Sequence, residues 1–284
     1  MSPSHEARDE QTQRWNSGPG YAWVEMQPVL DQMFAPLETL LVEAVAAASP
    51  ARVLDVGCGT GTTTLAVARQ IAPPDGCIGV DISEPMIAAA RARAEREPVH
   101  VTFICGNAQE HAFDSASVDM LISRFGVMFF DDPVRAFANL HRAARSGATL
   151  RFIAWRSAAD NPFMTMAERT AAALLPDLPE RKPDGPGQFA LANADRVQGI
   201  PKESGWSAID IQPLDVTCTF PETELVRYLT RLGPVGLALQ DADDDTRARV
   251  IETIRPAFEP FVQAADVRFV AACWMIAATS RARS

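Results

Sequence analysis

Apolar and polar positions switch between two periods along the first half of the chain. Residues 52–56 (RVLDV) form a short β-branched and apolar run that closes on glycine, which predicts a buried strand. Residues 62–72 then place Leu65, Ala68 and Ala72 on one helical face, and Pro73-Pro74-Asp75-Gly76 stops that helix. Residues 77–82 predict a second strand, closing on Asp81. Ser83-Glu84-Pro85 opens the next helix, with Ser83 as cap and proline in the first turn. Met86, Ile87, Ala90 and Ala94 face inward there; Arg91, Arg93 and Arg96 face water. Residues 101–105 and 118–123 predict strands three and four. Asp131-Asp132-Pro133 opens a helix with the stripe Val134, Phe137, Ala138, Leu140 and Ala144, which Ser146-Gly147 ends, and residues 149–155 predict a fifth strand. Strands recurring every ~20–30 residues with helices between them make a parallel sheet covered on both faces.

The remainder departs from that alternation. Residues 209–220 and 267–279 both read as strands, but residues 221–266 intervene, far more than a hairpin needs. That insert holds helical stripes: Leu225, Tyr228, Leu229 and Leu232, then Val250, Ile251 and Ile254. Residues 161–175 predict another helix, followed by a Pro/Gly-rich link over 176–187. Ahead of the core, Leu30, Met33, Leu37, Leu41, Ala44 and Ala48 make a helical face that Pro36 interrupts, so a break near Ala35 is expected. The accessory helices are expected over the carboxyl ends of the strands, where open α/β sheets bind ligands.

Composition narrows the class. The 284 residues are 47% hydrophobic and 22% charged, which suits a large α/β domain that needs no disulfide or metal staple. The net charge of -10 disfavours nucleic acid, whose affinity rests on phosphate contacts. Five scattered cysteines without a C-x-x-C point to a reduced, cytoplasmic protein. The polar N-terminal stretch offers no signal peptide. The late apolar run 267–279 is too short to cross a bilayer and carries Arg268. The histidines and cysteines show no metal-ligand spacing.

The candidate chemistry begins at VLDVGCGTGTT, residues 53–63. A dinucleotide fingerprint is G-x-G-x-x-G; here the third glycine, Gly61, comes one residue early. Asp55 stands just ahead of the turn, where a carboxylate would repel a pyrophosphate and suit an α-ammonium. The helix N-terminus beyond can still receive a carboxylate. Gly57, Gly59 and Gly61 let such a group lie against bare backbone. Asp81, 20 residues beyond Gly61, stands where an acid accepts hydrogen bonds from ribose hydroxyls. Asn107 and Ala108 follow strand three, and an amide can pair with an adenine edge; Ile82 and Met86 offer aliphatic walls. Amino acid, ribose and adenine together describe S-adenosylmethionine.

In order, DVGCGTG, GVDISEPMI, GNAQ and SRFGVMFF resemble the motifs of class I S-adenosylmethionine-dependent methyltransferases, and most of all the small-molecule branch that includes the quinone-biosynthesis enzymes. The resemblance covers residues 52–155. It implies a Rossmann-like fold: a seven-stranded, mostly parallel sheet with helices on both faces and a helical lid over the strand carboxyl ends, with the last strand antiparallel between two others. It implies that Asp55, Gly57, Gly59 and Gly61 cradle the methionine part, Asp81 the ribose, and Asn107 and Ala108 the adenine, with Ser123, Arg124 and Phe125 closing the donor site. Many relatives carry Asp where Asn107 stands; the amide keeps the acceptor. The chain divides into an N-terminal lid and first helix (1–48), a donor-binding core (49–156), a helix and link over the active site (157–205), the last two strands (206–220 and 266–280) and a helical insert serving as substrate lid (221–265).

Other features have plainer readings. His141 falls on an apolar stripe and His111 on a surface loop. Asp241, Asp243, Asp244 and Asp245 precede a helix and suit cap and dipole duty. Asn161-Pro162-Phe163 only faintly resembles a DNA-methyltransferase motif and follows the wrong strand. WNSGPGYAW places Trp15, Tyr21 and Trp23 ahead of the core, either as ordinary packing or as a lid whose rings attract a sulfonium, hinged near Pro36. The expected activity is in-line methyl transfer to a small apolar or aromatic acceptor by a monomer or homodimer, without metal, nucleic acid or membrane; no residue stands out as a catalytic base. Two rivals are a donor-binding or non-methylating protein of the same fold, and an NAD-dependent oxidoreductase.

Overall fold

The computed structural model describes residues 10–179, 181 and 185–281. The parts of the lid and of the Pro/Gly-rich link that fall on 1–9, 180 and 182–184 lie outside the described residues.

The central strands form because their side chains are apolar on both faces. Strand β1 (Val53–Val56) is buried at every position, and β2 (Cys77–Asp81), β3 (Val101–Cys105), β4 (Val118–Arg124) and β5 (Ala144–Trp155) pair with it and with one another in parallel. Two later strands complete the sheet. β6 (Trp206–Pro221) and β8 (Asp266–Ser280) are antiparallel to each other, and β8 slots between β5 and β6. The order is β3-β2-β1-β4-β5-β8-β6, with the two-residue β7 (Val262–Gln263) also on β8. The expected seven-stranded, mostly parallel sheet is present. The chain direction reverses between β1–β2 and β1–β4, so the ligand crevice of such sheets lies at the carboxyl end of β1.

Helices flank the sheet. The N-terminal stretch is helical at 10–15 and again in α1 (Gly18–Glu25). The next helix, α2 (Gln27–Ala48), runs unbroken through Pro36, so the expected break and hinge near Ala35 do not exist. Proline removes one backbone donor and crowds the preceding turn. Here the ring faces solvent, while Leu30, Met33, Phe34, Leu37 and Leu41 are buried in the main core. Burying those five side chains, worth roughly 1.5–3 kcal/mol each, outweighs the proline penalty. Helices α3 (Thr62–Gln70), α4 (Glu84–Ala94) and α5 (Pro133–Ala143) follow β1, β2 and β4. α5 stops at Ala143 and β5 starts at once, two to three residues before the expected Ser146-Gly147 stop.

Past β5 come α6 (Pro162–Ala171) and α7 (Ala194–Glu203). The spacing of apolar positions does not predict α7, since Gly199 and Pro201 hide its period. The insert holds α8 (Leu225–Arg231), α9 (Gly233–Ala238) and α10 (Asp244–Ile254). Asp243 caps α10 by accepting from the Thr246 N–H at 2.6 Å, the duty expected of that acidic run. Asn161 has a structural role: its amide donates to the Ala272 carbonyl and accepts from the Ala272 N–H, both at 2.9 Å, tying the start of α6 to β8. Phe163 then stacks on Phe269 at 4.0 Å and meets Phe258 and Phe261 edge-on, so β8 anchors both α6 and the insert.

Replacing Pro36 by alanine restores a helix donor at an exposed position and should raise stability by about 1 kcal/mol or more, read as a higher urea midpoint at unchanged slope. A lower midpoint would show that the proline shapes a bend the core depends on.

Candidate functional site

The glycine turn after β1 is shaped by a neighbouring chain segment. Gly57 has φ +68, and a Cβ on it would lie 2.4 Å from the Gly126 Cα; a Cβ on Gly126 would lie 2.4 Å from the Val56 carbonyl oxygen. The backbones leaving β1 and β4 therefore cross with no room for a side chain on either. Ser123 locks the crossing. Its hydroxyl donates to the Val56 carbonyl at 2.7 Å and accepts from the N–H groups of Gly126 and Val127 at 3.1 and 3.3 Å.

Over this turn lies a cavity of about 110 Å³ lined by, among others, Gly57, Gly59, Asp81, Met86, Asn107 and Phe125. Ile82, Ala108, Arg124 and Trp15 also line it. Asp81 is buried, and its two carboxylate oxygens accept from the N–H groups of Gly59 and Ser83 at 2.8 and 2.9 Å. Burial pushes its carboxyl above the ordinary range, and those backbone donors oppose the rise. A carboxylate so oriented keeps lone pairs free for two further donors. The Asn107 carbonyl oxygen accepts from the Gln109 N–H at 3.0 Å, which turns the amide at the mouth of β3.

Three expected residues do not line this cavity. Ser123 acts from beneath, as described. Gly61 packs: a Cβ there would meet the Phe103 ring at 2.7 Å and Ala90 at 3.0 Å. Asp55 is buried under the turn, where it accepts from the Thr64 hydroxyl at 2.7 Å. Burial raises its pKa to about 6, against the lowering effects of Thr64 and the Arg124 charge. Arg124, half-buried beside Glu38, Asp31 and Asp55, has its pKa lowered by desolvation, which those acids offset only in part; its Nη1 reaches the Phe34 carbonyl at 3.5 Å. Next to it Asp31 accepts from Thr62 at 2.5 Å and Arg93 at 2.9 Å, fastening α2 to the first residue of α3. Asp55, Arg124, Asp31 and Arg93 thus form a charged layer below the turn, with Asp55 its buried member.

The N-terminal stretch is stitched over the cavity. The Ser83 hydroxyl donates to the Trp15 carbonyl at 2.7 Å, Asn16 donates to the Ile82 carbonyl at 3.0 Å, and the Glu84 N–H donates back to Asn16 at 2.8 Å. Gln11, absent from the residues expected at the site, lines the cavity one turn before Trp15, and its side-chain carbonyl oxygen is buried without a partner among the described residues. The i, i+4 spacing of Gln11 and Trp15 was the available signal, once the segment is read as a helix.

Behind the N-terminal segment is a second cavity of about 450 Å³, with walls that include Met33, Phe34, Trp155, Phe163, Met164 and Tyr228. It shares Gln11, Trp15, Trp23, Phe125 and Phe129 with the first. Trp15 meets Trp23 and Phe129 edge-on at 6.2 and 5.0 Å, and Phe125 stacks on Trp155 at 4.6 Å. His141 lies away from both cavities, against Trp206 and Ser280, and His111 against Phe113. Among the described residues no helix is long and apolar enough to cross a membrane, and no cluster of three or more His, Cys, Asp or Glu could hold a metal.

The cavity above the turn suits an adenosyl amino acid: a floor without Cβ atoms and a carboxylate aimed by two amides. Comparison with known proteins agrees. Residues 53–147 match a family model described as a methyltransferase domain. An uncharacterized protein of Mycobacterium tuberculosis is 31% identical over 149 residues, 52% of this chain and 53% of that one. A demethylmenaquinone methyltransferase of Lactiplantibacillus plantarum is 34% identical over 105 residues, 36% of this chain and 44% of the relative. The chain spans about half the length of the curated relatives it matches. The structure of the YcgJ protein from Bacillus subtilis aligns with a TM-score of 0.56 over 87% of this chain and 98% of that one, at 18% identity, a likeness of fold. Motifs, sheet order and the match over residues 53–147 together make this stretch similar to the core of S-adenosylmethionine-dependent methyltransferases, the quinone-biosynthesis enzymes among them.

Proposed function

We propose that the chain transfers a methyl group from S-adenosylmethionine to a small apolar or aromatic acceptor, as a cytoplasmic monomer or homodimer, and that residues 1–48 and 221–265 act as donor and substrate lids. The observation that carries this reading is the pair of cavities meeting at an aromatic partition, one floored by the glycine turn and the other walled by Phe, Met and Trp side chains. The donor, when bound, supplies a methyl carbon activated by a positive sulfur.

The chain's own part is placement and exclusion of water. Asp81 receives the ribose hydroxyls, Gln11 and Asn107 bracket the adenosyl group, and Ile82 and Met86 cover the ring. Asp55 supplies negative charge beneath the ammonium end, conveyed through the turn rather than by contact. Trp15 and Phe129 dry the junction and offer ring faces to a sulfonium. Among the described residues no side chain at the partition has the reach and pKa of a general base, so rate rests on holding acceptor and methyl in line at ~3 Å. Calorimetric titration with S-adenosylhomocysteine and with NADH, followed by transfer of labelled methyl to a panel of aromatic acceptors, tests the reading. Tight NADH binding without S-adenosylhomocysteine binding overturns it, and donor binding with no transfer to any acceptor favours a donor-binding protein.

Asp81→Ala should weaken S-adenosylhomocysteine at least tenfold, about 1.4 kcal/mol; unchanged affinity refutes the ribose role. Trp15→Ala removes a ring but keeps the carbonyl that Ser83 holds, so turnover should fall about tenfold, ~1.4 kcal/mol of barrier, at an unchanged melting temperature. A lowered melting temperature with normal turnover would make Trp15 a packing residue. For Asp55 the folded-state pKa of about 6 lies above the unfolded value of ~3.9. The native state therefore holds its proton more firmly, and this group's contribution to stability declines as pH rises from about 4 to about 6. Asp55→Asn should erase that decline, raise stability near neutral pH by about 3 kcal/mol, and weaken the donor. Thermal melts across pH 4–7 check the first two outcomes and calorimetry the third.

A further inference from the structure

The larger cavity ends against α8, where Tyr228 stands among aromatic rings. Its ring centre lies 5.8 Å from that of Phe163 and 5.3 Å from that of Phe220, and it lines the cavity beside Phe163, Leu229 and Phe258. The hydroxyl donates to the sulfur of Met164 at 3.6 Å. A thioether is a weak acceptor, and a hydroxyl in apolar surroundings without a good partner is costly. Phenylalanine would keep the same ring contacts without that cost, so packing alone does not account for a tyrosine here. Burial pushes the phenol well above its ordinary range, so it stays an O–H donor at neutral pH. The nearest charges cancel: Glu168 and Arg181 form a two-point ion pair, with the Arg181 Nε 2.9 Å from Glu168. A neutral oxygen therefore suits this end of the cavity better than a carboxylate.

We infer that Tyr228 recognises a carbonyl or hydroxyl oxygen of the acceptor, which makes the acceptor class an oxygenated cyclic small molecule. The inference rests on the methyl-transfer reading, in which this cavity receives the acceptor. The hydroxyl turns from Met164 to the incoming oxygen, no covalent bond changes, and the role is selection: a site built around a donor rejects analogues lacking the acceptor atom.

The test uses the full chain saturated with S-adenosylhomocysteine and two probes of one shape, 1-tetralone and tetralin, which differ by a carbonyl. A cavity without a donor prefers the more apolar tetralin. The wild type is expected to bind 1-tetralone at least fivefold more tightly, with the probe's carbonyl stretch shifted to lower frequency. Tyr228→Phe should abolish both the preference and the shift, leaving tetralin and S-adenosylhomocysteine affinities within twofold. Equal binding, a tetralin preference or an unshifted carbonyl in the wild type overturns the inference whether or not the variant folds, and so does a ketone preference kept by Tyr228→Phe. Failure of S-adenosylhomocysteine to bind the wild type would instead overturn the methyl-transfer reading, so the two failures are distinguishable.

Discussion

Everything around the site depends on two backbones touching where β1 and β4 diverge. The Gly57–Gly126 approach tolerates no Cβ on either side, and Ser123 closes it with three hydrogen bonds. Because the crossing is backbone on backbone, it cannot relax by turning a rotamer. It sets the height of the glycine turn, and with it the distance between the turn and Asp81, whose carboxylate is aimed by the Gly59 N–H from the same turn. The floor and one wall of the cavity above the turn are thus one rigid unit. The N-terminal segment then registers on that wall, through Asn16 and the Trp15 carbonyl on residues 82–84.

The two cavities divide their chemistry by how they are built. Polar groups of the cavity above the turn come from strand ends and are aimed by backbone amides, so their positions follow from sheet geometry. The larger cavity is walled by α6, the insert and the N-terminal segment, held on β8 through Asn161 and the Phe163–Phe269 stack. Substitutions in the insert can therefore reshape the larger cavity while the turn and Asp81 stay as they are, and the family match ends at residue 147, ahead of the insert.

Local pattern carried the core and failed where tertiary packing decides. β1 to β5 and the turn were legible because a β-branched run closing on glycine is a short-range signal, and Asp81, Ile82, Met86, Asn107 and Ala108 line the cavity above the turn because strand ends and the helix start after β2 place them there. The unbroken α2 was not legible: Pro36 is a strong local breaker, and only the burial of Phe34 and Leu37 on either side of it reverses the outcome. Asp55 was placed correctly in the chain, but periodicity does not say which way a residue at a strand exit points, and it turned to Thr64. Gln11 carries no signal as a lone amide in a polar segment, and Tyr228 read as one more apolar stripe position because its hydroxyl has no sequence signature.

The antiparallel β8 has a consequence for how the chain comes off the ribosome. β6 is synthesised first, yet it pairs with the sheet only through β8, and residues 222–265 must be added in between. At ~5–20 residues per second this leaves a sixteen-residue strand without a partner, and the outer edge of β5 open, for a time on the order of seconds. The nascent protein thus passes through an interval with two unpaired strand edges, and those edges are where early aggregation or help from a chaperone would begin.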